Sequence, residues 1–390
     1  MKILILNSLY PTPLHPKIVG GAEKSVRHLA EALVREGHLV EVIRAIAPSA
    51  APTREEVNGV VVHGAPSRNL YWPFDGHAYP TWKRLLWHLI DDWGPAPTIV
   101  RERLDTFHPD VVHTNTLAGL TTNVWRLAKS RGARVVHTLR DYYLLCPRAK
   151  YYNAGRNCDR PCGDCAALTR RRRAATRLPD AVVGNSRATL EIHLAQGLFS
   201  GVPVRTAIGS LAEAASPLPP RDRTQDPRTL FGFIGRVTEE KGVERLAEAY
   251  GRLPDGVAGL VIAGETDPEV QARLTRLAGG RDIRFLGFVP PEAFYHAVDV
   301  VVAPSIWHEP LARSVIDAIA YGRPVIGSNR GGTPEAMGEP PYGWVFDPDD
   351  TGGLEEAMIG SISAVLPMVS DHDVRDPISA YLSVFKCSAA

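Results

Sequence analysis

Short β-branched apolar runs recur along this chain, each followed by a stretch of helical periodicity. In the first half they occupy residues 3–6, 40–43, 60–62, 111–112, 135–136 and 181–183. Their continuous apolarity suits strands covered on both faces, as in a parallel sheet. Between the first two, residues 22–35 carry Val26, Leu29, Ala30 and Leu33 at helical spacing, and Gly37 follows as a stop. The rhythm breaks at residues 209–229, where Pro217, Pro219, Pro220 and Pro227 crowd together. It restarts at 230–234, 260–263, 283–286, 298–303, 324–326 and 344–346. Two successive runs of this alternation predict an α/β protein of two doubly wound, Rossmann-like parallel-sheet domains facing a central cleft. The expected boundaries are 1–208, a linker at 209–229, and 230–374, with a tail of about 375–390 packing back on the first domain. A length of 390 residues suits two full cores.

Composition narrows the function classes. The net charge of +1 gives no electrostatic case for nucleic acid as a partner. No run approaches the ~18 apolar residues of a membrane span, and the apolar start is shorter than the ~7–15 residues of a signal-peptide core. The expected location is cytoplasmic.

In open α/β sheets ligands bind beyond the carboxyl ends of the strands, so the loops there carry the chemistry. Gly20-Gly21-Ala22-Glu23 opens the first helix, where helix N–H groups offer themselves to an anion. The same pair reads equally as a plain turn. The Pro-rich loop 7–19 before it has the length of a functional or mobile loop. After residues 230–234 comes Gly235-Arg236-Val237-Thr238-Glu239-Glu240-Lys241-Gly242. Arg236 can fork onto a phosphate and Lys241 can add a point charge, or both are solvated beside Glu239 and Glu240. Trp307-His308-Glu309-Pro310-Leu311-Ala312-Arg313-Ser314 continues to Asp317. With Pro310 at the helix start, Glu309 falls in the loop and Asp317 about two turns inside. Eight helical steps span ~12 Å, the scale of a ribose-to-sugar distance across a diphosphate. Spacing alone fits two exposed acids on an amphipathic helix as well. Further on stand Gly322-Arg323-Pro324-Val325-Ile326 and Gly331-Gly332-Thr333-Pro334-Glu335.

In that order these segments resemble the retaining glycosyltransferases of family 4, which have the GT-B fold, from Met1 to about Phe346. The ordered set is specific where each motif is modest. The resemblance implies a nucleotide-sugar donor, UDP-, GDP- or dTDP-linked, and a sugar moved to the hydroxyl of a glycan, lipid-linked sugar or small molecule. It implies that Arg236 and Lys241 hold the diphosphate, with backbone near Gly20, Gly21, Leu311, Ala312 and Arg313. It implies that Glu309 faces the donor sugar and that the base lies near Phe288 and Val289. The family pattern has Glu where Asp317 stands, one methylene shorter, and favours Gly in place of Ala312. No residue identifies itself as a nucleophile, and the resemblance favours a same-face route with no catalytic metal. His137 follows a strand and, by resemblance, sits near the reacting sugar as a catalytic candidate; a structural polar role fits it equally. His113 is a second candidate on the acceptor side. Other readings are a nucleotide-sugar epimerase of the same fold and a non-catalytic nucleotide-sugar-binding protein.

Three features lie outside this pattern. Cys146, Cys158, Cys162 and Cys165 cluster in sequence, with Cys387 apart, and clustered cysteines in a cytosolic chain suggest a structural zinc or reduced thiols. Asp371-His372-Asp373 spells a metal-binding pattern but lies far from the donor motifs. Four of seven tryptophans fall between Trp72 and Trp93, among Lys83, Arg84 and His88, with a basic run at Arg170, Arg171, Arg172 and Arg173. That combination fits either peripheral membrane contact or a core with a solvated face.

Overall fold

The computed structural model describes residues 1–15, 20–212, 217–362, 364 and 377–387. The Asp371-His372-Asp373 pattern and residues 16–19 of the Pro-rich loop lie outside them. The chain forms two units. Unit 1 holds Met1–Tyr151, Cys158–Leu211 and the C-terminal helix Pro377–Lys386; unit 2 holds Tyr152–Asn157 and the described residues from Ala212 to the end of the helix Gly353–Ile362.

Unit 1 contains β1 (Lys2–Asn7), β2 (Leu39–Ile46), β3 (Thr53–Val57), β4 (Val60–Pro66), β5 (Val111–Thr114) and β6 (Arg134–Leu139). The two-residue strands β7 (Tyr152–Asn153) and β8 (Arg156–Asn157) form a separate hairpin grouped with unit 2. Then β9 (Ala181–Gly184) and β10 (Val204–Ala207) complete the first sheet, in the order β10-β9-β6-β5-β1-β2-β4-β3. All neighbours are parallel except β3 against β4. The six expected strands are present. β3 and β10 were not foreseen: β3 reads Thr-Arg-Glu-Glu-Val and turns back through Asn58 and Gly59, both at positive φ, a two-residue hairpin turn. Ile3, Leu4, Ile5 and Leu6 are fully buried, as a central parallel strand requires. The first helix spans Gly21–Arg35 and buries Val26, Leu29 and Leu33. The C-terminal helix joins the same core through Ile378, Tyr381, Val384 and Phe385.

Unit 2 is a six-stranded parallel sheet: β11 (Thr229–Ile234), β12 (Ala258–Ala263), β13 (Ile283–Gly287), β14 (Val300–Ala303), β15 (Val325–Ser328) and β16 (Gly343–Phe346), ordered β13-β12-β11-β14-β15-β16. From β11 the chain runs outward through β12 and β13, then returns to lay β14 on the other side of β11. The point where strand order reverses leaves a crevice at the carboxyl ends of β11 and β14, the favoured ligand position in such sheets.

Candidate functional site

The loops after β11 and β14 meet at that crevice. A single turn, Glu239–Lys241, follows β11, and Gly242 then takes φ +70° before the helix Val243–Arg252. A Cβ on Gly242 would stand 2.0 Å from the Pro304 carbonyl oxygen, so only glycine lets the two loops approach this closely. The Ile306 N–H donates to the Glu240 carbonyl at 3.0 Å, pinning the loops together.

This brings Lys241 and Glu309 into contact. Lys241 Nζ lies 2.5 Å from Glu309 Oε1, and Ser305 Oγ donates to Oε2 at 2.7 Å. Both side chains keep limited exposure, 17% for Lys241 and 12% for Glu309. The Lys241 ammonium also stands 5.8 Å from the centre of the Trp307 ring. Behind Glu309, Gly332 N–H donates to its carbonyl at 2.7 Å, and a Cβ on Gly331 would strike Glu309 backbone atoms. The glycine pair after β15 thus cradles the acid's backbone.

The helix begins at Arg313, not at Pro310: it spans Arg313–Ala320 with Ala312 at its N-cap. Residues 309–312 are spent in the turn against Gly332, so Asp317 lies just over one turn into the helix rather than two. Its carboxylate is buried and held by Arg313 at 3.1 Å, one turn earlier. Ala312 is 1% exposed and belongs to the core, Leu311 is half-buried beside it, and Val289 packs on the same core while Phe288 is 85% exposed. Arg236 is exposed after β11.

Ser305, Tyr152 and Asn157 were not among the sequence candidates. Asn157 Nδ2 donates to the Ile306 carbonyl at 3.0 Å, and its Oδ1 accepts from His308 N–H at 2.7 Å. The Tyr152 hydroxyl, on the same hairpin, lies near the Glu239 and Glu240 carboxylates, and burial first, then those charges, raise its pKa to about 12. The β7–β8 hairpin therefore braces the loop that carries Glu309. Ser305 had a signal, two residues past a strand's carboxyl end. Asn157 had none, being 149 residues from Ile306 in sequence.

In unit 1, Gly20 is the N-cap of the first helix and its N–H donates to the Glu23 carboxylate at 3.0 Å; Gly21 is the first helical residue. His137 lies within β6, 4% exposed. Its Nδ1 is 2.9 Å from the Thr114 hydroxyl, and the ring packs edge-on to Trp125 and stacks on Phe199. Burial, then the neighbouring His193 and Arg140, hold it neutral with a pKa of about 3. A small pocket adjoins it, lined also by Asn115, Arg140, Asp141 and Tyr143. His113 is fully buried, 2.8 Å from the Thr138 hydroxyl and packed on Tyr381 and Phe385 of the C-terminal helix.

The Cys165 thiol is hydrogen-bonded to both Cys162 and Cys146, and Cys158 lies close enough to interact electrostatically with Cys146 and Cys162. No group of three or more His, Cys, Asp or Glu side chains among the described residues is arranged to hold a metal ion.

Comparison with known proteins identifies the family. Residues 19–204 match the profile described as Glycosyltransferase Family 4, and residues 228–363 that described as Glycosyl transferases group 1. An uncharacterized 42.6 kDa protein in the cps region of Klebsiella pneumoniae is 33% identical over 86% of this chain and 87% of its own. A glycogen synthase of Mycobacterium tuberculosis is 29% identical over 92% of this chain and 85% of its own. Among solved structures, sucrose-phosphate synthase from Thermosynechococcus elongatus superposes with a TM-score of 0.66 at 19% identity, covering 96% of this chain and 90% of that one. Anabaena HepE, in complex with UDP and glucose, superposes at 0.64 and 19% identity, covering 93% and 90%. The chain belongs to glycosyltransferase family 4, a hexosyltransferase-type enzyme built on the GT-B fold.

Proposed function

We propose that this enzyme transfers a hexose from a nucleoside diphosphate sugar to an acceptor hydroxyl with retention of configuration and without a catalytic metal. The observation that carries the reading is the Lys241–Glu309 pair at the strand-order reversal of unit 2. A cation and a carboxylate kept 2.5 Å apart in a crevice neutralise each other until a ligand offers each a better partner. A donor diphosphate takes the Lys241 ammonium, with Arg236 beside it. Glu309, released, accepts from the hydroxyls of the hexose. The N-terminal end of the Arg313–Ala320 helix adds the positive end of its dipole to the phosphate site. Asp317 and Val289 serve ribose and base, and the ribose contact competes with the Arg313 ion pair. Donor binding of this kind is supported by HepE, solved with UDP and with UDP-glucose.

In the same-face route the bond from the sugar's anomeric carbon to the diphosphate oxygen breaks as the acceptor oxygen bonds on that same face. The acceptor proton passes to the departing phosphate oxygen. The leaving group accumulates negative charge, and fixed cations aimed at it are the main protein contribution. His137 enters as a neutral ring, not as a charged acid. Four reduced thiols within interacting distance fit the cytoplasm, where glycan or glycoconjugate synthesis is the setting.

Thermal unfolding against UDP-, GDP- and dTDP-sugars identifies the donor, since a ligand stabilises by its concentration over its Kd. With that donor, Lys241→Ala is expected to lose about 10²-fold or more in kcat, the scale of removing one transition-state charge partner. Product anomeric configuration by NMR checks retention, and activity in EDTA checks metal independence. Full transfer activity in Glu309→Ala would refute the assigned site. Epimerisation of the donor with no acceptor present would favour the epimerase instead.

A further inference from the structure

The helix Thr81–Trp93 is built inside out. Its solvent face carries Trp82, Leu85, Leu86, Leu89 and Trp93, each 39–67% exposed. Their spacing of three, four, seven and eleven residues from Trp82 places them on one stripe. Its inward face carries Trp87, Asp91 and Asp92. A helix normally turns its Leu and Trp inward and its carboxylates outward.

A buried polar network holds this orientation. Asp92 is paired at 2.6 Å with Arg172, a fully buried guanidinium that stacks on the Tyr143 ring at 3.9 Å. Asp91 accepts from Gly119 N–H at 2.9 Å and from the Tyr143 hydroxyl. Rotating the helix to bury its leucines would strand Arg172 without its carboxylates, so the network fixes which face looks out.

The charge around the stripe is predominantly positive. The helix packs against Gly163–Leu168 and Arg170–Ala175. Arg170 is exposed, and the Arg171 guanidinium lies 4.1 Å over the Trp93 ring. With Asp91 and Asp92 buried, Asp164 is the single exposed acid on these three helices. Leucines between two terminal tryptophans, rimmed by arginines, match a surface that is apolar below and anionic above. No described helix is long and apolar enough to cross a membrane.

We propose that the Trp82–Trp93 face is a docking surface for an anionic lipid bilayer, the leucines entering the acyl boundary and Arg170 and Arg171 meeting the headgroup phosphates. The inference stands apart from the transfer reading, because it concerns no donor residue.

The full chain is tested by co-sedimentation with phosphatidylcholine vesicles, with and without 30% phosphatidylglycerol, a composition on the order of an anionic leaflet. Binding is expected to be at least tenfold tighter to the anionic vesicles and to weaken with salt. The triple variant Trp82→Ser, Leu86→Ser, Trp93→Ser is expected to lose tenfold or more while keeping its melting temperature, since all three side chains face solvent. Should that variant fold poorly, Arg170→Glu with wild-type tryptophan quenching by brominated lipids reads the same contact. Equal binding by wild type and variant, or no binding to either vesicle, overturns the proposal. A concentration-dependent dimer that the triple variant abolishes also overturns it, reassigning the stripe to a second copy of the chain.

Discussion

At Gly242 two constraints coincide: a left-handed backbone and a neighbouring carbonyl that leaves no room for a methyl group. Gly242→Ala is expected to cost about 1–3 kcal/mol from backbone strain alone, with the displaced Pro304 loop adding to it. Urea unfolding reads the loss of stability, and a weakened donor-induced melting shift reads the separation of Lys241 from Glu309. A second residue-scale outcome concerns the thiols. Hydrogen bonds from Cys165 lower the pKa of exposed Cys162, whereas burial first, then the Cys162 contact, raises that of Cys165. Because the thiolate is the nucleophile, iodoacetamide is expected to label Cys162 ahead of Cys146, Cys158 and Cys165, as peptide mass mapping would show.

Among the elements, the β7–β8 hairpin acts furthest from its sequence neighbours. Asn157→Ala removes two hydrogen bonds to the Ile306–His308 segment. At about 1 kcal/mol each, the loss corresponds to roughly thirtyfold in kcat/KM if the loop's position limits the reaction. Steady-state kinetics together with an unchanged melting temperature would check that the effect is on position. This hairpin also marks the limit of what the residues disclose on their own. The parallel strands were legible because burial on both faces writes a continuous apolar run, as at 3–6 and 230–234. β3 is polar, lies at a sheet edge and was missed, although Asn58-Gly59 is a recognisable hairpin turn. Glu309 and Lys241 were legible as loop residues after strands, but their mutual ion pair was not, since 68 residues separate them. The start of the Arg313 helix was misplaced because Pro310 fits a first helical turn and nothing local reveals the competing bond from Gly332 to Glu309. The inverted burial of the Trp82 helix was likewise invisible, for periodicity locates a stripe and not the side it faces.

On the scale of the whole molecule, unit 1 buries His113, His137 and His193 as neutral rings. Burial holds His113 well below its usual range, His137 to about 3 and His193 to about 4. In the unfolded chain each titrates near 6.5, so the unfolded state binds more protons below that pH. The stabilisation is complete above about pH 6.5 and is lost as pH falls toward the folded pKa values, at about 1.4 kcal/mol per pH unit for each ring. Melting temperature measured from pH 7.5 to 5 is expected to fall, and His193→Gln is expected to flatten the slope.

The C-terminal helix carries a consequence in time. Ile378, Tyr381, Val384 and Phe385 seal a core whose other walls are laid down by residues 3–208. During translation the first unit emerges without its last wall, and the ribosome must add more than 160 residues before that wall appears. At about 5–20 residues per second this takes roughly 8–30 s. Through that interval the nascent N-terminal sheet lacks the wall that this helix supplies. The first unit to be synthesised is therefore the last to be completed.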